Sequence, residues 1–192
     1  YWFLRELIET SYSNGKAFLV SAGTEATEVA CKLMRMYGQQ KDPNRRTILS
    51  IEGAMHGRTM LAEQLKGIDK DNLWAFSFDS GVINIPFDKF DEKLYKPKEI
   101  CGIIIESYQG WSARFYNKLY IQSLVKWAKN NDILVCFDEI QGGFGRTGKM
   151  WAYEHYDIDK PDLICFGKGV SSSLPLSGVI GRKDILDLPE VG

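Results

Sequence analysis

Short apolar runs alternate along the chain with stretches in which apolar residues recur every three or four positions. The recurring pattern collects apolar side chains on one helix face and predicts helices over residues 1–9, 24–37 and 117–130. The short runs have the length of strands and predict seven of them, at residues 17–20, 47–51, 74–78, 102–106, 133–137, 163–166 and 178–180.

Two predicted strands are apolar through their centres, at residues 103–105 and 133–135. A strand without a polar side is covered on both faces, as in a parallel sheet between two layers of helices. Strands that alternate with helices therefore indicate an α/β fold with a mostly parallel sheet. The 192 residues, 44% of them hydrophobic, are enough for one sizeable core, so we expect a single domain over residues 1–192.

The charge distribution excludes two classes of partner. The formal net charge is −1, and acidic and basic residues are interspersed, so neither a nucleic acid nor a membrane surface is expected as a partner. The longest basic cluster, Arg45 and Arg46 after Asn44, is predicted to be a solvated turn. No apolar run approaches the length of a transmembrane helix.

The cysteines and histidines give no sign of a metal site. None of the four cysteines has a partner at CxxC spacing, and Cys136 and Cys165 lie inside apolar runs, where a free thiol packs as a small hydrophobe. Free thiols fit a reducing compartment, so we expect a cytoplasmic protein. His56 and His155 are too few for a histidine-rich metal centre, and no metal is expected.

Ligands in such sheets bind at the carboxyl ends of the strands, and four segments there contain candidate chemistry. In the first, residues 21–26 (SAGTEA), a strand ends and a helix begins. Gly23 would let the backbone approach a phosphate, and Thr24 adds a hydroxyl beside the free N–H groups of the helix. On this segment alone, an ordinary helix cap is the simpler interpretation.

The second and third segments carry an acid pair and a lysine. Asp138 and Glu139 end a buried strand before a glycine-rich loop, where an acid can bind a cation, a ribose or a protonated ring nitrogen, or be solvated. Lys168 follows another buried strand between two glycines. Most lysines are surface residues, but desolvation or nearby cations make one a nucleophile. The fourth segment contains His56, and a lone histidine is more often structural than catalytic.

Taken in order, these segments resemble the class III (ornithine/GABA-type, subgroup II) aminotransferases, which use pyridoxal 5′-phosphate (PLP). The most specific is residues 138–148, DEIQGGFGRTG, followed by Lys168. The resemblance spans essentially the whole chain and is carried by SAGTEA at 21–26, HGRT at 56–59, Glu106, QG at 109–110, residues 138–148, PD at 161–162, KG at 168–169 and LPL at 174–176.

The resemblance implies a fold and a set of roles. The fold is the large domain of type I PLP transferases, a mostly parallel seven-stranded sheet with helices on both faces. Lys168 would hold PLP as a Schiff base (aldimine) and later move protons at the substrate carbon. Asp138 would keep the pyridine nitrogen protonated, which makes the ring an electron sink. These two are the implied catalytic residues.

The remaining implied contacts surround the cofactor. Gly23 and Thr24 would hold the phosphate, Ile140 would pack on one ring face, and Gln141 would reach the ring hydroxyl oxygen. The implied cofactor-binding set is Gly23, Thr24, Met55, His56, Glu106, Asp138, Ile140, Gln141 and Lys168.

Two residues depart from the family pattern. Met55 stands where the family has a phenylalanine or tyrosine on the other ring face, and methionine offers less contact area. Trp111 stands where the family commonly has a glutamate that pairs with a substrate-binding arginine. Trp111 is therefore a candidate substrate contact, with a place in the core or in the dimer interface as the alternative. Use of a dicarboxylate acceptor such as 2-oxoglutarate is in question.

The family's members are longer than this chain, so we expect a partial chain without the small C-terminal domain, and a homodimer for the full-length protein. The function implied is transfer of an amino group from an amine or amino acid to a keto acid or aldehyde. Another PLP reaction on the same fold (aminomutase, epimerase or decarboxylase) and a non-catalytic PLP-fold module remain alternatives. A nucleotide-binding Rossmann protein is disfavoured, because no GxGxxG segment follows an early strand.

Overall fold

A computed structural model describes residues 2–67, 73–75 and 81–189. The strands of this part form one seven-stranded sheet in the order β1-β7-β6-β5-β4-β2-β3. Their bounds are Gly15–Val20 (β1), Thr47–Ile51 (β2), Val82–Ile85 (β3), Ile100–Glu106 (β4), Leu134–Asp138 (β5), Leu163–Phe166 (β6) and Ser177–Arg182 (β7).

Strand direction brings most carboxyl ends to one edge of the sheet. The pairs between β2 and β3, β2 and β4, β4 and β5, and β5 and β6 are parallel, whereas β7 is antiparallel to both of its neighbours, β6 and β1. Strand β1 therefore runs in the same direction as β2 to β6. The expected mostly parallel seven-stranded sheet is confirmed, and the segments that follow β1, β2, β4, β5 and β6 lie at the same edge.

Helices cover both faces of the sheet, as expected. Their bounds are Trp2–Ser11 (α1), Gly23–Gln39 (α2), Met60–Gln64 (α3), Lys118–Asn130 (α4) and Lys183–Leu186 (α5). In β4, Ile103 and Ile105 pack into the cluster that holds α1 and α4, while Ile104 packs into the cluster that holds α2 and α5. Each such isoleucine contributes roughly 1.5–3 kcal/mol on burial. The apolar run of β4 thus joins two cores.

The predicted helix at residues 117–130 is confirmed as α4. Its N-cap is Asn117, whose side chain accepts hydrogen bonds from the N–H groups of Leu119 (2.9 Å) and Tyr120 (3.4 Å). The apolar face, including Leu124 and Ala128, is buried against the sheet. Removal of such a cap typically costs about 1 kcal/mol.

One predicted strand is wrong where the structure tests it. Residues 74 and 75 belong to the 3₁₀ turn Leu73–Ala75, and residues 76–78 lie outside the described part of the chain. The strand missed by the sequence pattern is β3, an edge strand of four residues that includes the polar Asn84. A short strand with one neighbour needs few apolar residues, so its pattern is weak.

The predicted solvated turn at residues 44–46 is wrong for Arg45, whereas Asn44 and Arg46 are exposed as predicted. Arg45 is only 8% exposed, and its guanidinium donates to the carbonyl oxygens of Ile100 (2.9 Å) and Asn131 (2.9 Å). Ile100 is the first residue of β4, and Asn131 lies shortly before β5, so one buried arginine connects the amino ends of two strands. Its fork of five donors suits this task.

In the described part of the chain, no helix combines the length and the apolar character that a membrane span requires.

Candidate active site

The acid at the end of β5 is buried and paired. Asp138 is 2% exposed, and its Oδ2 lies 2.7 Å from Nδ1 of His56, which the loop after β2 supplies. Its Oδ1 accepts from the backbone N–H of Ile140 at 3.0 Å. A carboxylate only accepts hydrogen bonds, so the pair requires the histidine proton on Nδ1. The two donors make burial of a carboxylate tolerable.

The lysine after β6 has an unusual backbone conformation. Lys168 begins the 3₁₀ turn Lys168–Val170 with φ of +42°, in the left-handed region that non-glycine residues rarely adopt. Such a conformation costs on the order of 1–3 kcal/mol and is concentrated at functional sites. The side chain is exposed, and its Nζ donates to Oε1 of Gln141 in the loop after β5. The loops after β5 and β6 thus meet through these two side chains.

Ile140 packs between the turn before α2 and the loop after β6. A Cβ placed on Gly23 would lie 3.0 Å from Cδ1 of Ile140, and one placed on Gly167 would lie 3.5 Å from its Cγ2. The start of α2 is therefore a neighbour of the segment that carries Asp138 and Gln141.

The first turn of α2 has backbone donors to spare. Oε2 of Glu25 accepts from the N–H groups of Ser21 and Ala22, both at 2.9 Å, so its charge lies against the backbone that precedes the helix. Among the described residues, the N–H groups of Gly23 and Thr24 have no acceptor. Unpaired N–H groups at the positive end of a helix attract an anion such as phosphate.

The loop after β2 packs directly on this turn. Oγ1 of Thr24 lies 3.0 Å from Oγ1 of Thr59, and a Cβ placed on Gly57 would lie 2.2 Å from the same Thr24 oxygen. Gly57 also has φ of +135°. Only glycine meets both demands, the backbone conformation and the close approach.

A second buried acid, Glu106, links two loops. Its Oε2 accepts from the N–H of Met55 at 2.8 Å, and its Oε1 accepts from the N–H of Gly110 at 3.2 Å. Burial raises the pKa of Glu106 to about 7; the nearby His56 opposes this increase, and Asp138, its partner in the β4–β5 register, adds to it. Met55 itself is half-buried.

Glu139 is not among the predicted site residues, although it lies next to Asp138 in the sequence. It is fully buried, and its carboxyl group accepts from the hydroxyl of Ser107 and from the N–H groups of Ala152 (2.9 Å) and Tyr153 (2.8 Å). Burial raises its pKa to about 7, although these hydrogen bonds act in the opposite direction. Glu139 therefore anchors the segment that presents Asp138. The available signal was an acid next to Asp138 at the end of an apolar strand.

Trp111 lies at the tip of a small turn closed by backbone hydrogen bonds between Gln109 and Arg114 (2.9 and 3.3 Å). The side chain is 74% exposed, which excludes a place in the core of this domain. A Cβ placed on Gly110 would lie 2.9 Å from Cγ of Gln141, so the base of this turn adjoins the partner of Lys168.

The structure thus brings most of the predicted site residues to one edge of the sheet. Asp138 contacts His56 and Ile140, Gln141 contacts Lys168, and Gly23 adjoins Ile140. Met55 joins them through Glu106, whereas Thr24 contacts the loop after β2. Two further residues were not predicted: Thr59, which contacts Thr24 directly, and Glu28, which is connected to Thr24 through Thr59.

The chain is similar to proteins of known function over nearly its whole length. The family described as Aminotransferase class-III matches residues 3–192. An acetylornithine aminotransferase from Aquifex aeolicus is 32% identical over 185 residues, which cover 94% of this chain and 48% of that protein. The corresponding enzyme from Nitrosomonas europaea is 34% identical over 169 residues, which cover 86% of this chain and 43% of that protein.

Solved structures agree. The ornithine aminotransferase from Toxoplasma gondii ME49 superimposes with a TM-score of 0.89 at 25% identity, covering 99% of this chain and 46% of that one. Another structure of that enzyme has partial occupancy of PLP at its active site. A transaminase from the marine bacterium Virgibacillus gives a TM-score of 0.87 at 26% identity, covering 97% of this chain and 46% of that one. The chain spans less than half the length of these relatives.

Proposed function

Because the chain belongs to the class III aminotransferases, a family whose cofactor is PLP, we propose that it is the PLP-binding large domain of a transaminase. The reaction is transfer of an amino group from an amine or amino acid to a keto acid or aldehyde. The observation that carries the proposal is the meeting of Asp138, Gln141 and Lys168 at the carboxyl edge of the sheet.

The residues present fit PLP. The N–H groups of Gly23 and Thr24 lack acceptors within the described part of the chain and suit a phosphate, and the buried carboxylate of Asp138 suits a protonated ring nitrogen. The amine of Lys168 is accessible and suits covalent attachment. Ile140 and Met55 would contact the two faces of the ring, and Gln141 would reach its hydroxyl oxygen.

When bound, PLP supplies an electron sink that stabilises negative charge at the substrate carbon. The role of Asp138 is to favour a positive charge on the ring nitrogen, and His56 keeps its carboxylate oriented by donating from Nδ1 at 2.7 Å. Lys168 would hold and move the proton at the substrate carbon, with Nζ positioned by the oxygen of Gln141. Glu106 would position Met55 through its backbone N–H.

For substrate contact we propose Trp111. It is exposed beside the Gly110 backbone, which adjoins Gln141 and through it Lys168. A neutral ring at this place cannot form an ion pair with an arginine, and a buried arginine without an ion-pair partner is costly. We therefore propose an apolar wall in the substrate pocket, with a preference for larger or less acidic partners than 2-oxoglutarate.

For the whole protein we propose a homodimer in the cytoplasm. The dimer is supported by family membership and by two large exposed apolar side chains, Trp111 and Leu174, in loops that follow β4 and β6. The cytoplasm is supported by the four cysteines, all free and buried, as is usual in reducing compartments. Light scattering of the full chain, with and without PLP, tests the dimer.

The decisive experiment is to locate the attached cofactor. The full-length protein is loaded with PLP, reduced with borohydride and digested, and its peptides are mapped by mass spectrometry. We expect the label on Lys168 and its loss in Lys168→Ala, whereas Lys126→Ala, a change of an exposed lysine on α4, keeps it. A label on another lysine would overturn the assignment.

A second assay separates transamination from other PLP chemistry. An amine donor alone should convert bound PLP to the pyridoxamine form in a transaminase. An aminomutase, epimerase or decarboxylase instead turns over without net accumulation of that form. A protein that binds no PLP, recognised by the lack of a visible absorption band, would be a non-catalytic module.

A further inference from the structure

The hydroxyl proton of Thr24 is already used in a hydrogen bond to Thr59. Thr59 lies between Thr24 and Glu28, with its Oγ1 3.0 Å from Oγ1 of Thr24 and within hydrogen-bond distance of Oε1 of Glu28. A hydroxyl has one proton, and a carboxylate only accepts, so the proton of Thr59 goes to Glu28. The contact between the two threonines then needs the proton of Thr24.

Further hydrogen bonds at both ends fix the donor-to-acceptor direction of this hydrogen-bond chain, which runs from Thr24 through Thr59 to Glu28. Oε1 of Glu28 also accepts from the N–H of Ala62 at 3.3 Å, so this position must be an acceptor. The N–H of Thr59 points to Oγ1 of Thr24 at 3.4 Å, which occupies a lone pair of that oxygen. Thr24 therefore acts as a donor to Thr59 and has no proton left for a phosphate.

We infer that Thr59 and Glu28 are positioning residues that hold the Thr24 hydroxyl away from the phosphate of the cofactor and thereby lower phosphate affinity. The inference rests on the proposed function and adds to it. The phosphate is bound chiefly by the N–H groups of Gly23 and Thr24, and the hydroxyl becomes available only when its bond to Thr59 is given up. Breaking the chain should tighten phosphate binding.

The test uses the full chain freed of PLP and two probes, pyridoxamine phosphate and pyridoxamine. Neither probe has an aldehyde, so Lys168 cannot attach them, and the ratio of their dissociation constants isolates the contribution of the phosphate. Titration calorimetry or the change in probe fluorescence gives both constants.

Two variants should tighten pyridoxamine phosphate binding, while pyridoxamine binding stays constant. Thr59→Val removes the acceptor of the Thr24 proton without a change of charge. Glu28→Ala lets Thr59 donate to Thr24 instead, which frees the Thr24 hydroxyl. One additional neutral-to-anion hydrogen bond at an exposed site corresponds to about threefold to tenfold in affinity.

Matched variants separate the hydrogen-bond chain from charge and from shape. Glu28→Gln removes the charge but keeps an oxygen at the atom that Thr59 and Ala62 require, so the probe ratio should remain near that of the wild type. Thr59→Ser keeps the hydroxyl and should do the same. In Thr24→Ala the gain from Thr59→Val should vanish, because no hydroxyl remains to be released.

The outcomes are distinct. Failure of every variant and of the wild type to bind pyridoxamine phosphate would sink the proposed function itself. Normal binding with a weaker phosphate contribution in Thr59→Val would show that Thr59 contacts the phosphate directly, and the inference would be wrong. An equal gain in Glu28→Gln and Glu28→Ala would assign the effect to charge alone, which also overturns it. Circular dichroism of each variant verifies the fold.

Discussion

The carboxyl group of Asp138 has two donors of different kinds, a histidine ring and a backbone N–H. This arrangement holds both oxygens in place while the residue remains 2% exposed. The ring of His56 is shielded from solvent, since it is as deeply buried as its partner. The pair is therefore suited to hold the Asp138 carboxyl group in a fixed orientation at the carboxyl edge.

We predict that Asp138→Asn lowers turnover far more than it lowers PLP affinity. Asparagine can still accept from the N–H of Ile140, but its neutral amide removes the charge that favours a protonated ring. Loss of a neighbouring opposite charge shifts a pKa by about 1–3 units, which corresponds to roughly ten- to a thousandfold in protonation. Steady-state kinetics and PLP titration of the full chain measure the two effects. A variant with near-normal turnover would remove Asp138 from this role.

Glu106 gives a prediction for stability against pH. Its pKa rises from 4.5 to about 7 on folding, chiefly through burial. Between these values the folded chain keeps a proton that the unfolded chain has lost, so this group makes stability fall as pH rises from about 4.5 to about 7. In Glu106→Gln this contribution is absent. The variant should gain about 2–3 kcal/mol relative to wild type between pH 4 and pH 8.

Urea unfolding at several pH values measures this difference. Glutamine can accept from only one of the two backbone N–H groups that Glu106 binds, so the free energy of unfolding at a single pH combines this loss with the effect of the proton. The change of that free energy with pH isolates the effect of the proton. Parallel pH curves for wild type and Glu106→Gln would show that the carboxyl group is already ionised in the folded chain. Glu99→Gln, at an exposed surface carboxylate, serves as the control.

At the scale of elements, the site depends on how loops are held to the ends of strands. The loop after β5 is anchored by Glu139, which reaches Ser107 after β4 and the backbone of residues 152–153. The loop after β2 is held through the Met55 N–H by Glu106 and through His56 by Asp138. Two strand-end acids therefore fix the loops around a third, Asp138.

The prediction at this scale concerns the contact between the loop after β2 and α2. In Gly57→Ala the new methyl would lie 2.2 Å from Oγ1 of Thr24, and the backbone at φ of +135° would be strained. The loop that carries Thr59 must move away from Thr24, which releases the Thr24 hydroxyl, so we expect tighter binding of pyridoxamine phosphate with little change for pyridoxamine. The strain itself costs about 1–3 kcal/mol of stability.

Gly148→Ala is the matched control for this variant. Gly148 also has a left-handed φ, of +89°, but a Cβ there meets nothing within 4 Å. It should cost stability without a change in the ratio of the two probes. If both variants altered the ratio alike, the effect would come from general destabilisation and not from the contact with Thr24.

At the scale of the whole molecule, the proposed apolar wall gives a prediction for the choice of amino acceptor. We predict that the full chain uses 2-oxoglutarate poorly compared with larger or less acidic acceptors, because Trp111 brings no charge to balance a carboxylate-binding arginine. Trp111→Glu should improve 2-oxoglutarate use only if an arginine faces it. Efficient turnover of 2-oxoglutarate by the wild type, measured with a panel of acceptors, would show that the apolar-wall proposal is wrong.

Local pattern was sufficient for much of the fold. The 3.6-residue period predicted α2 and α4, and the unbroken apolar runs predicted β4 and β5, because side-chain period and burial are properties of consecutive residues. The positions of Asp138, Gln141 and Lys168 after strands were also visible, since parallel strands deliver their carboxyl ends to one edge. Edge strand β3 escaped detection because one neighbour demands little apolar character.

Tertiary structure alone decided what these residues contact. The bond between His56 and Asp138 joins residues 82 positions apart, and that between Arg45 and Ile100 joins residues 55 apart. The commitment of the Thr24 proton depends on Thr59, 35 positions away. Hydrogen-bond partners, burial and the resulting pKa values arise from distances in space, and no period in the sequence encodes them. The sequence therefore determined which groups reach the edge of the sheet, and only folding determined which protons and charges are free to act there.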